Sequence, residues 1–396
     1  MKLNIGLFND SFPPTIDGVA NTVLSYAEIL HKNHCDVLVA TPKYPHVVDQ
    51  YPFEVVRYQS VPIVGPITYR LGNPFSPLLI QELRSRKLDL IHVHSPFASS
   101  LLASRVTGGS KKHRAPVVFT YHTKYDIDIS KFSPGQPVTK GITRFIAHNI
   151  RQADEVWTVS KGAGESLRDI GYNGAYTVMP NGTDFARGHA GEAALREMAR
   201  IIDHQPDELL FLFVGRMMWY KNLKLILDTL DILKGKGLKF RAVFAGDGND
   251  RPAIERYATA HGLGDTVRFI GAIYDREKVR ALYTLADLFL FPSTYDTSGL
   301  VVKEAAACDC PSLLVAGSCA AEGVEHGVSG LLAEETAADC AARILEVTAE
   351  RDALKRIGEN AGKSVYLSWE DAVKQAYARY EQIISEWPYQ LPRYYK

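Results

Sequence analysis

Short apolar runs alternate along the chain with amphipathic stretches of helical length. Runs near 3–8, 36–40, 53–58, 88–93, 116–121, 155–159 and 176–179 read as strands. Between them, apolar residues recur at helical spacing over 19–33, 77–87, 97–106, 138–152 and 162–170. In the first of these, Val19, Val23, Leu24, Ala27 and Leu30 share one face. Such alternation predicts βα units feeding a mostly parallel sheet. The turn cluster Met179-Pro180-Asn181-Gly182 closes the series. A polar Ala/Glu-rich stretch without a strand follows, over about 186–206. A second series then starts, with strands near 208–214, 239–245, 266–270, 288–292 and 312–315, before helical segments near 336–348, 350–363 and 368–386. The pattern predicts two doubly wound, Rossmann-like α/β domains, 1–185 and 205–371, facing across a cleft. A C-terminal helix over about 372–396 is expected to cross back to the first domain. Open α/β sheets bind ligands at the carboxyl ends of their strands, which is where chemistry is to be sought.

Composition narrows the partners. Of the 396 residues 46% are hydrophobic, enough for a core in each domain, and 45 Lys+Arg cancel 45 Asp+Glu. No global positive field exists to draw the chain onto nucleic acid. The five cysteines (Cys35, Cys308, Cys310, Cys319, Cys340) are odd in number and form no C-x-x-C, so they read as reduced, small hydrophobes. The N-terminus shows no secretory signal pattern, and no run approaches the roughly 18 apolar residues of a spanning helix. A cytoplasmic protein is expected, with any membrane contact peripheral on the inner face.

Three loops carry the candidate chemistry. In Phe291-Pro292-Ser293-Thr294-Tyr295-Asp296-Thr297-Ser298-Gly299-Leu300, a buried strand runs into a polar loop and a helix begins near Gly299. Amides at such a start bind phosphate or sugar oxygens. Asp296 stands before that start, and Glu304 lies five residues past Gly299, about 7–8 Å along the helix. Gly215-Arg216-Met217-Met218-Trp219-Tyr220-Lys221 follows another strand, with a fork-shaped cation and a point-charge cation suited to a diphosphate leaving group. No G-x-x-x-x-G-K-[ST] occurs, which disfavours phosphoryl transfer from ATP. Asp10-Ser11-Phe12-Pro13-Pro14-Thr15-Ile16-Asp17-Gly18-Val19 forms a third strand-to-helix loop, whose Gly18 backbone is able to approach a ligand.

Taken in order, these segments resemble glycosyltransferase family 4, the retaining, metal-independent transferases of the GT-B fold, over nearly the whole chain. The E-x7-E element of that family falls on Asp296 and Glu304, with Asp in the first position. Its G-R-x4-K element falls on Gly215, Arg216 and Lys221, and its first glycine loop on Asp17-Gly18-Val19. Pro180 to Asp184, Ala245-Gly246-Asp247-Gly248 and Glu322 to Gly330 support the match. The resemblance implies that Glu304 binds the nucleotide ribose, and that Asp296 with Ser298, Gly299 and Leu300 holds the donor hexose. Arg216 and Lys221 would neutralise the departing β-phosphate, Gly18 would contact the diphosphate, and His122 would lie beside the reacting sugar. It implies no metal and no cofactor, the nucleotide sugar being a co-substrate.

Thr120-Tyr121-His122-Thr123-Lys124-Tyr125-Asp126 and Ala320-Ala321-Glu322-Gly323 look most like the bacterial diacylglycerol α-glucosyltransferase branch. That branch implies glucose moved from UDP-glucose to a membrane lipid. Residues 1–185 carry 19 Lys+Arg against 15 Asp+Glu, leaving 26 against 30 for the rest. Within the basic half, Lys140, Arg144, His148 and Arg151 lie along one helix beside Val138, Ile142, Phe145 and Ile146. That face is able either to rest on an anionic leaflet or to pack on a sheet. Lys111-Lys112-His113-Arg114 and the aromatic, basic tail 387–396 raise the same two readings. Asp126-Ile127-Asp128 sits in the wrong domain for a donor metal, and His92-x-His94 lacks a third ligand at metal spacing. Competing functions are a GDP-mannose-dependent mannosyltransferase acting on an inositol lipid or soluble glycan, a sugar-nucleotide epimerase and a non-catalytic sugar-binding protein. A dehydrogenase requires a glycine fingerprint that is absent.

Overall fold

The computed structural model describes residues 2–15, 17–33, 35–63, 70–108, 115–125, 136–203, 205 and 207–388. It separates into two units, one formed by residues 1–181 together with the chain from Trp369, the other by Gly182–Ser368.

The first unit runs β1 (Asn4–Phe8), α1 (Gly18–Lys32), β2 (Asp36–Pro42), β3 (Glu54–Tyr58), β4 (Ser60–Pro62), β5 (Arg70–Gly72), α2 (Pro77–Ser85), β6 (Leu90–Val93), α3 (Ala98–Thr107), β7 (Val117–Tyr121), α4 (Gln136–Ile150), β8 (Glu155–Thr158), α5 (Lys161–Asp169) and β9 (Thr177–Val178). Its seven-stranded sheet has the order β3-β2-β1-β6-β7-β8-β9, with parallel pairing throughout. The order reverses between β1 and β6, which makes that pair the switch point where loops diverge and leave room for a ligand.

The second unit runs α6 (Glu192–Ile202), β10 (Leu209–Val214), α7 (Leu223–Gly235), β11 (Phe240–Ala245), α8 (Arg251–Ala260), β12 (Val267–Gly271), α9 (Arg276–Leu285), β13 (Leu288–Leu290), α10 (Leu300–Ala307), β14 (Ser312–Val315), β15 (Leu331–Ala333), α11 (Ala337–Thr348) and α12 (Arg351–Ser364). Its six parallel strands take the order β12-β11-β10-β13-β14-β15, with the switch between β10 and β13. Strand β10, Leu-Leu-Phe-Leu-Phe-Val, is apolar at every position because helices cover both faces of a parallel sheet.

The last helix, α13 (Trp369–Glu386), belongs to the first unit. It buries Trp369, Ala372, Val373, Ala376, Tyr380 and Ile383, a stripe at helical period. Trp369 meets Tyr26 of α1 edge-on at 6.1 Å, Tyr380 stacks on Trp157 at 5.4 Å, and Arg379 grips Glu155 with two bonds of 2.9 and 2.6 Å. The crossing helix expected from sequence is therefore present.

Three elements escape the sequence pattern. The antiparallel hairpin β4–β5 and strand β15 have only three residues per strand, too few to show a period. Helix α6 lies inside the stretch read only as polar, and buries just Met198 and Ile202. All five cysteines are buried thiols. Lys111 to Arg114, Asp126 to Asp128 and the tail from 389 lie outside the described residues.

Candidate active site

In the second unit, two loops leave the switch point side by side. After β10 the chain turns at Gly215, with φ near 158°, and its N–H donates to Ala245 O at 3.0 Å. A Cβ on Gly246 would fall 1.9 Å from Gly215 O, and one on Gly248 would fall 2.4 Å from Met217 O. The Ala245-Gly246-Asp247-Gly248 fragment is thus glycine-rich so that two backbones can touch. A single 3-10 turn, Trp219–Lys221, then presents Lys221. Asn222 fixes this loop in the left-handed region (φ 59°), donating to Pro292 O at 2.9 Å in the loop after β13 and to Glu335 at 2.6 Å. Sequence reasoning missed Asn222, whose signal was its place between a motif lysine and a helix start.

Lys221 Nζ donates to Asp296 Oδ1 at 2.5 Å, and its ammonium lies 5.7–5.8 Å from the rings of Tyr220, Phe291 and Tyr295. Both side chains are largely buried. The second oxygen of Asp296, Oδ2, is buried with no hydrogen-bond partner, as are Ser293 Oγ, Ser298 Oγ and Ser318 Oγ. Each such orphan costs about 1–3 kcal/mol unless something meets it. Two of them, Asp296 Oδ2 and Ser298 Oγ, stand on the three residues before the helix start at Gly299, the mark of a polar ligand's place. Gly299 caps that helix with φ 56°, packed so tightly on Ala320 that a Cβ would come within 2.9 Å of it. Leu300 opens α10 with no side-chain cap, so its first amides have no side-chain acceptor.

Glu304 sits one turn further along α10. Arg276 donates to its Oε1 at 2.7 Å and Tyr283 OH to its Oε2 at 3.2 Å. The same guanidinium donates to Asp184 at 2.5 and 3.0 Å and lies 4.2 Å over the ring of Phe185. Burial pushes the Glu304 carboxyl up, and Arg276 opposes that shift. Arg276 in turn is held above the ordinary guanidinium value, its own burial outweighed by Glu304 and Asp184. Arg276 and Tyr283 were not singled out from sequence, since neither lies in a motif. Arg216, by contrast, is exposed.

Gly18 and His122 belong to the first unit. Asp17 caps α1 by accepting from Val19 and Ala20 at 2.8 and 2.7 Å, which leaves Gly18 exposed at the helix start. A Cβ there would meet nothing within 4 Å. His122, at the end of β7, is buried, and its Nε2 lies 3.0 Å from His94 Nδ1. His92, two residues before His94, binds Thr120 Oγ1 at 2.6 Å and Tyr380 OH at 2.5 Å. Burial lowers all three imidazoles, His122 to about 3, so each is neutral. Asp10, which opens the third loop and to which sequence alone gives no role of its own, accepts from Ser95 and from the amide and hydroxyl of Ser99, tying the β1 loop to the start of α3; burial raises its pKa despite these bonds. Among the described residues, no group of three or more His, Cys, Asp or Glu could hold a metal ion.

Comparison with known proteins identifies the family. The family descriptions "Glycosyltransferase Family 4" and "Glycosyl transferases group 1" match residues 16–187 and 196–364 respectively. The chain belongs to glycosyltransferase family 4. As a family 4 member it is a retaining, nucleotide-sugar-dependent glycosyltransferase. It is 26% identical over 78% of its length to the α-monoglucosyldiacylglycerol synthase of Streptococcus pneumoniae, covering 70% of that protein. It is 23% identical to the synthase of the same name from Acholeplasma laidlawii, over 95% of both. A GDP-mannose-dependent α-mannosyltransferase of Corynebacterium glutamicum is 26% identical over 83% of this chain and 76% of that protein. Among solved structures, sucrose-phosphate synthase from Thermosynechococcus elongatus superposes with a TM-score of 0.76 at 22% identity, covering 97% of this chain and 100% of that one. Anabaena HepE in complex with UDP-glucose gives 0.73 at 18%, covering 96% and 100%. These likenesses fix the GT-B fold of this family 4 chain.

Proposed function

We propose that this enzyme moves glucose from UDP-glucose onto a hydroxyl of a membrane lipid such as diacylglycerol. The observation that carries this reading is the similarity to a glucosyldiacylglycerol synthase over 95% of both chains. The second unit is the donor domain and the first the acceptor domain. Glu304, oriented by Arg276 and Tyr283, takes the ribose hydroxyls. Asp296 Oδ2, Ser298 and the amides of Gly299 and Leu300 take the hexose, which explains why Asp296 Oδ2 and Ser298 Oγ are buried without partners. Lys221 and Arg216 face the β-phosphate, Gly18 approaches the diphosphate through its backbone, and neutral His122 lies beside the sugar.

The chemistry follows from charge. Breaking the bond between the anomeric carbon and the phosphate oxygen builds positive charge on the ring and negative charge on the phosphate. Fixed cations and helix amides at the phosphate lower that barrier without reorganising. The acceptor hydroxyl attacks from the leaving-group face as its proton passes to a phosphate oxygen, and retention results.

The acceptor is reached at an anionic leaflet. On α4, Lys140, Arg144 and His148 are exposed together with Val138 and Phe145, while Ile146, Ala147 and Ile150 are buried. One face therefore packs on the sheet and the other presents cations among apolar groups, the mixture that suits a peripheral contact. No helix among the described residues is long and apolar enough to cross a membrane. A GDP-mannose-dependent reaction is the second reading, supported by the Corynebacterium relative.

The experiment is a thermal-shift panel of UDP-glucose, UDP-galactose, UDP-GlcNAc and GDP-mannose, followed by transfer of the protecting sugar to diacylglycerol in anionic vesicles. Protection by UDP-glucose with product formation supports the reading. Protection by GDP-mannose alone moves the assignment to the mannosyltransferase, and absence of lipid product with a protecting donor sinks the acceptor.

A further inference from the structure

The first unit holds a cavity of about 770 Å³ that none of the donor-site roles above uses. That size is within the roughly 300–1,000 Å³ of small-molecule sites. Its walls are Val61 and Leu71 from the β4–β5 hairpin, Phe75, Phe97, Leu101 of α3 and Phe145 of α4. Val61, Leu71, Phe75 and Phe145 are exposed to 60%, 52%, 53% and 44%. Large apolar side chains seldom group at a surface unless an apolar partner covers them.

The position of the cavity matters as much as its lining. Lys43 follows β2, Gln59 follows β3 and Phe97 follows β6, and all strands of this sheet are parallel. The cavity therefore opens at the same sheet edge that carries Gly18 after β1 and His122 after β7. Among the described residues no carboxylate lines it, and its polar groups are the cations Lys43 and Arg70 with the neutral side chains of Gln59, Ser60 and Asn73. Arg70, which also lines it, spends its guanidinium on Ser60 Oγ and O at 2.8 and 2.9 Å. Lys43, Gln59 and Asn73 supply polar groups beside the apolar walls, a division that matches a glycerol backbone with a hydrocarbon chain attached.

We propose that this cavity takes one acyl chain of a glycerolipid acceptor and so presents the acceptor hydroxyl to the edge where Gly18 and His122 stand. The assignment rests on the lipid-acceptor reading above and adds a subsite with its own residues. Its energetic signature is chain-length dependence: about 0.8 kcal/mol per CH2 buried from water, or about fourfold in affinity.

The test uses water-soluble 1-O-alkylglycerols of four to eight carbons below their micelle concentration, so that chain burial in protein is not offset by burial in a lipid phase. The acceptor KM of the full-length wild type is expected to fall by about fourfold per methylene. Leu101→Trp, which fills the cavity, and Phe75→Asp, at an exposed wall position that tolerates a charge, are each expected to flatten that slope and to raise KM for octylglycerol about tenfold or more. Thermal protection by the donor nucleotide sugar is expected to persist in both, which shows that they fold. Transfer to alkylglycerols with a flat slope in the wild type, or a slope that survives both substitutions, overturns the cavity assignment alone. Transfer to no alkylglycerol and no diacylglycerol overturns the lipid-acceptor reading and the cavity with it.

Discussion

Lys221 and Asp296 come from loops 75 residues apart and meet in a 2.5 Å ion pair at the switch point of the second sheet. The pair leaves one carboxylate oxygen buried and unmet, so the site is half-satisfied before any ligand arrives. Asp296→Ala removes an acceptor for the hexose and leaves Lys221 unpaired among three aromatic rings. We expect kcat/KM to drop about a hundredfold or more, the range for losing one electrostatic contact to a transition state. Lys221→Met is expected to lower kcat by a similar factor while donor KM moves less. Steady-state kinetics with a titrated donor checks both, and a variant of either kind with near wild-type kcat removes the pair from the chemistry.

Arg276 and Glu304 form the second testable relationship. Burial already lifts the Glu304 carboxyl, and Arg276 is the main force holding it down. Arg276→Ala should leave Glu304 protonated over a wider pH range and raise donor KM about tenfold. Arg276→Lys should recover little, because one ammonium cannot span Asp184 and Glu304 as the planar fork does. Combining Arg276→Ala with Glu304→Gln should cost much less than the sum of the two, since both remove one interaction. Additive effects in that cycle would falsify the coupling.

Gly18 separates function from stability. Nothing lies within 4 Å of an added Cβ, and alanine favours a helix over glycine by about 0.5–1 kcal/mol. Gly18→Ala is therefore expected to keep or slightly raise Tm while activity falls, if a diphosphate approaches that backbone. Gly246→Ala is the contrast, losing both, because its Cβ would overlap Gly215 O. Thermal melts beside activity assays decide the matter.

The three buried histidines give the first unit a pH profile. His122 has its pKa lowered by burial from 6.5 to about 3, and His92 and His94 are lowered in the same direction. The unfolded chain binds these protons first as pH falls, so the stabilisation is complete above about pH 6.5 and is lost progressively toward pH 3. From His122 alone the loss at pH 5 is about 2 kcal/mol. Urea midpoints measured between pH 8 and pH 5 should fall accordingly. A flat midpoint over that range contradicts the neutral cluster. Activity should show no ionisation assignable to His122 between pH 6 and 9.

Much of this enzyme could be read along the chain. Apolar runs alternating with amphipathic stretches specify parallel βα units because a strand covered on both faces must be apolar throughout, and β10 is so at every position. The last helical segment, with no further strand to feed, is expected to return to the first domain, and its stripe of Trp369, Val373, Ala376 and Tyr380 meets α1 through Trp369 and Tyr26. The motif loops announced themselves because glycine and charge follow a strand directly. What sequence could not supply were relations between distant loops. Arg276 and Asp184 are 92 residues apart and Asn222 reaches Pro292 across 70, so neither shows a local signal. The β4–β5 hairpin is too short to carry a period, yet it builds a wall of the first unit's cavity of about 770 Å³. Sequence fixes what each segment must hide from water; which polar atoms are left facing one another, and which remain unmet, is decided only when each sheet gathers the loops at its own carboxyl edge.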